Sequence, residues 1–187
     1  MNLEILSWDL ANSAQGLYLL SHDADTTIGL GQLLAAHLLP NDLISLDGDL
    51  GAGKTALTRG IAFGLNCQVP VSSPTFTLLM EHPAALGGLA LYHFDVYRLD
   101  GEEEFCDAGL DEYFDQGGVC VIEWGSRIAE LLPARTMNIR LCCGDPQQPD
   151  LRQICLDWAT RPERLASLAL DLQRHAKRRT SDADPGL

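Results

Sequence analysis

The chain has no apolar run approaching the roughly 20 residues that span a bilayer, which excludes a transmembrane helix. It is also short of cations: 13 Lys and Arg stand against 26 Asp and Glu, a formal net charge of −13 at pH 7. Tight direct binding to nucleic acid draws on a basic surface that displaces phosphate counterions. Here the whole-molecule field repels RNA and DNA, and only a local basic patch would allow direct contact. Any role in a nucleic-acid pathway is therefore expected to run through a partner protein, since an acidic surface suits docking onto a basic one. Solubility alone would account for the charge equally well. Met1 to Leu10 carry Glu4 and Asp9 but no Lys or Arg, so the basic start of a secretory signal is missing and a cytoplasmic location is expected. The six cysteines, at 67, 106, 120, 142, 143 and 155, form no C-x-x-C pair and no zinc-like grouping with histidine. Cys120, inside the apolar run Val119-Cys120-Val121-Ile122, and Cys155 in a similar setting read as small core residues. No internal repeat or low-complexity linker interrupts the 187 residues, a length that suits one α/β domain with short extensions.

What is present is a complete G-x-x-x-x-G-K-[ST] segment, Gly48-Asp49-Leu50-Gly51-Ala52-Gly53-Lys54-Thr55. Glycines at this spacing let the chain fold back so that successive backbone N–H groups point at an anion. Lys54 then reaches β- and γ-phosphates, and the Thr55 hydroxyl is placed for Mg²⁺. The motif carries this meaning only between a strand and a helix. Asp42 to Asp47 read as a short strand, and Ala56 to Leu65 carry apolar residues at 57, 61 and 65, the spacing of a helix. The helix points its positive end at the same phosphates. Gly51, Ala52, Gly53, Lys54, Thr55 and Ala56 are thus the expected cradle for a nucleoside triphosphate with magnesium.

Residues 1–15 have no strong period and read as an extension or edge strand ahead of a strand at Gly16–Ser21. Asp23, Asp25 and Thr26 offer caps for a helix running to Leu39 and stopped by Pro40. Cys67 to Leu79 are extended, with breaks at Pro70 and Ser72-Ser73-Pro74-Thr75. A strand at Leu89–Asp95 is followed by a helical or mixed segment, Glu102–Phe114, that Gly109 interrupts. Val119 to Trp124 are nearly all apolar, which predicts a strand covered on both faces in the middle of a sheet. A short helix at Ser126–Leu132 is closed by Pro133. Strands near Met137–Cys142 and Arg152–Leu156 flank the polar turn 144–150, and a helix over about 162–177 ends in Lys177-Arg178-Arg179, before a frayed tail at 180–187. The division is an extension at 1–15, a domain at 16–160 and a C-terminal helix with its tail at 161–187.

Hydrolysis needs more than a phosphate loop: magnesium must be held and a water oriented. Two strands end in acids, Asp95 and Glu123. Ligands of parallel α/β sheets collect at the carboxyl ends of strands, so both carboxylates are expected beside Lys54. One would complete the Mg²⁺ shell and the other polarise water or touch the nucleotide; a solvated cap is the simpler reading of either acid alone. Ser73-Pro74-Thr75-Phe76 lies where many nucleotide hydrolases carry a γ-phosphate-sensing element, with Thr75 as its hydroxyl. Trp124 reads as a packing residue; His93 could approach a phosphate, but a histidine inside a strand reads first as filling core or edge space.

Five segments occur in one order: Gly48–Thr55, Ser73-Pro74-Thr75-Phe76, His93-Phe94-Asp95-Val96-Tyr97-Arg98-Leu99, Gly109-Leu110-Asp111-Glu112-Tyr113-Phe114 and Ile122-Glu123-Trp124. Together, over roughly residues 20 to 158, they closely resemble the bacterial TsaE family, the ATPase of tRNA threonylcarbamoyladenosine synthesis. The resemblance implies a small P-loop fold of three layers around a central, mostly parallel sheet. It implies ATP and Mg²⁺ as ligands, with the metal on Thr55 and Glu123 and Asp95 near the nucleotide. It also implies docking on the TsaB–TsaD heterodimer, which transfers a threonylcarbamoyl group to adenosine 37 of ANN-reading tRNAs, with ATP hydrolysis resetting that complex. Contact with tRNA is then indirect. Ala56 departs from the Thr or Ser that many members carry after Gly-Lys-Thr, with little consequence, because Thr55 supplies the metal hydroxyl. Residues 1–15 and those beyond about 160 exceed a minimal member. Adenine contacts fall, by position only, near Asp23–Thr27 or Arg152.

Two rival readings share the loop. A small-molecule or nucleotide kinase should carry an arginine-rich lid, yet Arg127, Arg135 and Arg140 are scattered. A GTPase should carry Asn-Lys-x-Asp to read guanine, and the chain has none.

Overall fold

Apolar residues in short runs, each ended by a turn or an acid, build an eight-stranded sheet in the order β1-β2-β8-β7-β3-β6-β5-β4. The computed structural model of the chain describes residues 1–7, 16–68, 71–144 and 147–182. The strands are β1 (Leu3–Ser7), β2 (Leu17–Ser21), β3 (Leu43–Gly48), β4 (Leu79–His82), β5 (Leu91–Asp95), β6 (Val119–Glu123), β7 (Met137–Cys143) and β8 (Arg152–Asp157). The helices are α1 (Ala24–Ala35), α2 (Lys54–Gly64), α3 (Glu102–Asp107) and α4 (Pro162–Asp182), with 3₁₀ turns at Leu110–Asp115 and Gly125–Ile128.

The four inner strands β7, β3, β6 and β5 run parallel. β4 joins one side antiparallel, and β8, β2 and β1 extend the other the same way. Connection length explains the division. A parallel neighbour needs a crossover of a dozen residues or more, whereas the short links β4–β5 and β7–β8 permit only hairpin-like return. Every residue of β6 is buried, as its unbroken apolar run requires. One face of the sheet is covered by α1, α2 and α4 through Leu30, Leu34, Leu57, Ile61, Leu165 and Leu168. A smaller core under α3 and the 3₁₀ turns gathers Phe94, Phe105, Phe114, Ile122 and Ile128. The result is the expected three-layer α/β domain.

Several local expectations change. α1 ends at Ala35 rather than running to Leu39, and the N-cap is Asp23, whose carboxylate accepts from the Thr26 N–H at 2.6 Å. The helix expected at Ser126–Leu132 shrinks to the 3₁₀ turn Gly125–Ile128. Residues 1–7 contribute edge strand β1, while 8–15, Pro70, residues 145–146 and the tail from 183 lie outside the described residues. α4 continues to Asp182. It is part of the fold: Arg164 bonds the His37 carbonyl and the Asp42 carboxylate, and lies over the Trp158 ring at 4.0 Å. All six thiols are free. Cys120 is buried, and burial pushes its thiol up to about 12; Cys155 is only half-buried.

The phosphate-loop helix α2 is held by an unusually close approach to α1. A Cβ on Gly60 would lie 2.0 Å from the Ile28 carbonyl oxygen and 2.9 Å from the Gly31 Cα; one on Gly31 would meet the Leu57 carbonyl at 2.4 Å. The two helices touch through backbone, so α2 has one seat on the sheet. Gly60→Ala must push the helices apart, and overpacking of this kind costs about 1–3 kcal/mol. Thermal unfolding of Gly60→Ala is expected to show that loss, and an unchanged midpoint would mean that the helices separate freely.

Candidate nucleotide-binding site

β3 delivers the chain to Gly48, which turns at φ +142° because β7 lies against it: a Cβ there would be 2.0 Å from the Leu141 carbonyl oxygen. The loop continues through Gly51 at φ +78° and Gly53 at φ +104°, the N-cap of α2. Gly53 offers no side-chain acceptor, so the first N–H groups of an 11-residue helix are left toward the loop's interior. Arg152 braces the loop from outside. Its Nε donates to the Ala52 carbonyl at 3.1 Å and its Nη2 to the Gly51 carbonyl at 3.3 Å. Those two carbonyls are thereby tied to the guanidinium, while the Ala52 N–H bonds the Asp49 carbonyl within the loop at 3.1 Å.

A cavity of about 410 Å³ follows, lined by residues 50–56 with Ser73, Thr75, Asp95, Tyr97, Glu123 and Trp124. A larger one of about 690 Å³ lies on the other side of β3, lined by Tyr18, Asn138, Arg140 and neighbours. It contains no residue of the phosphate motif, whereas Lys54, Thr55 and both strand-end acids line the smaller cavity.

Lys54 is only 6% exposed. Its Nζ donates to the carbonyls of Gly48 (2.7 Å) and Asp49 (3.0 Å) and lies 3.8 Å from the centroid of the Trp124 ring. No carboxylate of the described residues forms an ion pair with it. Burial lowers its pKa from the ordinary lysine value, against the opposing pull of Glu123, Asp95, Asp47 and Asp49. A buried ammonium with only neutral partners, beside a helix N-terminus, fits an incoming polyanion.

The two acids stand side by side, because Asp95 pairs with Glu123 in the parallel β5–β6 ladder. Both are about 4% exposed. They have different partners. Glu123 Oε1 accepts from Thr55 Oγ1 at 2.9 Å, so a hydroxyl and a carboxylate meet in the pairing that Mg²⁺ uses. Among the described residues no three His, Cys, Asp or Glu side chains converge as a metal site. Asp95 instead fastens the hydroxyl segment: its Oδ2 accepts from Ser73 Oγ (3.0 Å) and Thr75 Oγ1 (2.9 Å), and its Oδ1 from the Tyr97 N–H (3.1 Å). Thr75 and Asp95 thus arrive together.

Trp124 and His93 do more than pack. Trp124 adopts φ +66°, which swings its ring under the Lys54 ammonium, and Tyr97 packs on it with centroids 5.0 Å apart. His93 does not line the cavity; fully buried, it touches Glu123 from behind, with Nε2 2.9 Å from Oε1. Neither Asp23–Thr27 nor Arg152 lines the cavity. Arg127 bonds the Leu99 carbonyl, and Arg135 the Asn41 carbonyl and Asp115; no arginine of the described residues lines the cavity. The role of Arg152 had no local sequence signal, because it lies 100 residues from Ala52. Among the described residues no helix is long and apolar enough to cross a membrane.

The family model described as "Threonylcarbamoyl adenosine biosynthesis protein TsaE" matches residues 21–154. A Bacillus subtilis protein called tRNA threonylcarbamoyladenosine biosynthesis protein TsaE is 48% identical over 115 residues, 62% of this chain and 70% of that protein. A Treponema pallidum protein of the same name is 45% identical over 121 residues, covering 65% of this chain and 87% of that one. The crystal structure of Bacillus subtilis YdiB is similar with a TM-score of 0.67 at 36% identity, over 86% of this chain and 95% of that chain. The match runs from the end of β2 into β8, through the phosphate loop and both acidic strand ends, and the chain belongs to the TsaE family of threonylcarbamoyl adenosine biosynthesis proteins.

Proposed function

We propose that this chain is a magnesium-dependent ATPase that supports threonylcarbamoylation of adenosine 37 in tRNA by docking on the TsaB–TsaD complex and resetting it between turnovers. The observation that carries the nucleotide reading is Lys54, a buried ammonium whose contacts are two carbonyls and an indole ring, all neutral, set beside the open end of α2. The family supports the pathway. The partner reading rests on the family resemblance, and the net charge of −13 suits a protein that leaves tRNA to others.

In this reading Lys54 exchanges the carbonyls of Gly48 and Asp49 for β- and γ-phosphate oxygens. The N–H groups of Gly51, Gly53 and Ala56 complete the cradle, joined by that of Ala52 once it leaves the Asp49 carbonyl. Thr55 and Glu123 hold Mg²⁺ together with phosphate oxygens and water. When bound, the ion neutralises charge that develops on the phosphates during transfer. Asp95 keeps Ser73 and Thr75 at the γ-phosphate end, and either acid is near enough to orient the attacking water. No arginine of the described residues lines the cavity, so an arginine of the kind that often stabilises phosphoryl transfer would come from a partner. Turnover is accordingly slow alone and raised by the partners. The same lack argues against a kinase with an arginine lid.

Lys54→Ala is expected to abolish ATP binding measured by calorimetry, and wild-type affinity would move the phosphates elsewhere. Glu123→Ala should leave ATP affinity within a few-fold while lowering phosphate release about 10²-fold or more, because several kcal/mol of charge stabilisation are at stake and about 1.4 kcal/mol is tenfold. Wild-type turnover in that variant would remove Glu123 from the metal. In a pull-down, the TsaB–TsaD pair should be captured with ATP and magnesium, and capture should weaken with Lys54→Ala. No capture under any condition refutes the docking reading, while transfer of phosphate to a small-molecule acceptor would make the protein a kinase.

A further inference from the structure

We infer that His93 is a positioning residue for Glu123: its Nε2–H grips Oε1 and thereby turns Oε2 toward the cation side of the cavity. The inference rests on the metal reading of Thr55 and Glu123 given above.

The ladder supplies the geometry. His93 pairs with Val121 and Asp95 with Glu123 along the parallel β5–β6 edge. Residues two apart share a face of a strand, so the imidazole lies one step behind the carboxylate, on the side away from the phosphate loop. It is fully buried and absent from the cavity wall, which excludes direct contact with a nucleotide. Its Nε2 is 2.9 Å from Glu123 Oε1, and Thr55 Oγ1 is 2.9 Å from the same oxygen. One carboxylate oxygen therefore takes both bonds. Among the described residues Oε2 has no partner, while Glu123 lines the cavity.

An ionised carboxylate only accepts, so the grip requires the imidazole proton on Nε2. The opposite nitrogen, Nδ1, is buried without a partner. The nearest ring, His82, is 6.3 Å away between centroids and has both its nitrogens in the same condition. A buried, unsatisfied nitrogen costs stability that a phenyl ring of similar size would avoid. As a mere filler of the space under α2, histidine is the poorer choice. What it supplies that a hydrocarbon ring cannot is the one donor aimed at Oε1. Ligating carboxylates are commonly held this way from behind, and losing such a partner lowers metal affinity or activity about 10–100-fold.

The test measures ADP affinity calorimetrically in EDTA and across a Mg²⁺ titration, for wild type, His93→Phe and His93→Gln, with thermal midpoints alongside. His93→Phe keeps the volume and removes the donor; its apparent Mg²⁺ affinity should fall about 10–100-fold, with ADP affinity in EDTA unchanged. His93→Gln, which returns an N–H at similar reach, should recover most of the loss. Wild-type Mg²⁺ dependence in His93→Phe, equal losses in both variants, or an equal loss in EDTA would overturn the inference. If His93→Phe does not fold, the imidazole nitrogen shifts of wild-type protein decide: a proton on Nδ1 and a bare Nε2 would refute the grip. Wild-type ADP affinity that ignores Mg²⁺ would instead refute the metal reading itself, and this inference with it.

Discussion

A lysine ammonium taken out of water is costly unless something charged or strongly polar meets it, and the Lys54 environment is organised around that cost. Two carbonyls and an indole face hold Nζ, while four carboxylates of Asp47, Asp49, Asp95 and Glu123 act on it without pairing. The loop glycines, the left-handed backbone at Trp124 and the Arg152 brace all serve to keep it there. A carboxylate in direct contact would neutralise the ammonium and compete with a phosphate for it. Carbonyls are weaker partners, which in the proposed function give way to a phosphate.

The parallel ladder does the second part of the work. β3, β6 and β5 are neighbours, so their carboxyl ends bring Gly48, Glu123 and Asp95 to one edge from distant parts of the chain. The paired acids then divide their tasks by what lies next to them. Glu123 faces α2 and meets Thr55, with His93 behind it. Asp95 faces the 71–78 segment and saturates its oxygens with two hydroxyls and a peptide N–H. Backbone contact between α1 and α2 fixes the helix that supplies Lys54 and Thr55.

Much of this was legible in the chain where the information is local. The phosphate loop, the break at Gly109 between α3 and its 3₁₀ turn, and the buried strand at 119–123 follow from residues within a few positions of one another. Misreadings arose where packing overrode local preference. α1 has helix-forming residues up to Leu39, yet it ends at Ala35, and the chain then turns to enter β3 with Asp42 tied to Arg164. The apolar stretch near Ile128 suggested a longer helix but needs only one turn to cover the second core. Trp124 and His93 looked like filler because their partners, Lys54 and Glu123, are distant in sequence or lie on another strand.

By itself the sequence determined the phosphate-loop motif, the family and the acids that end two strands, because glycine, lysine and threonine at that spacing form a local pattern that needs no distant residue. Which acid meets the threonine, which one fastens the hydroxyl segment, and what stands behind and beneath them were decided only by the tertiary structure. Those choices depend on which strands become neighbours and on how closely two helices approach, and such contacts join residues that no local pattern relates.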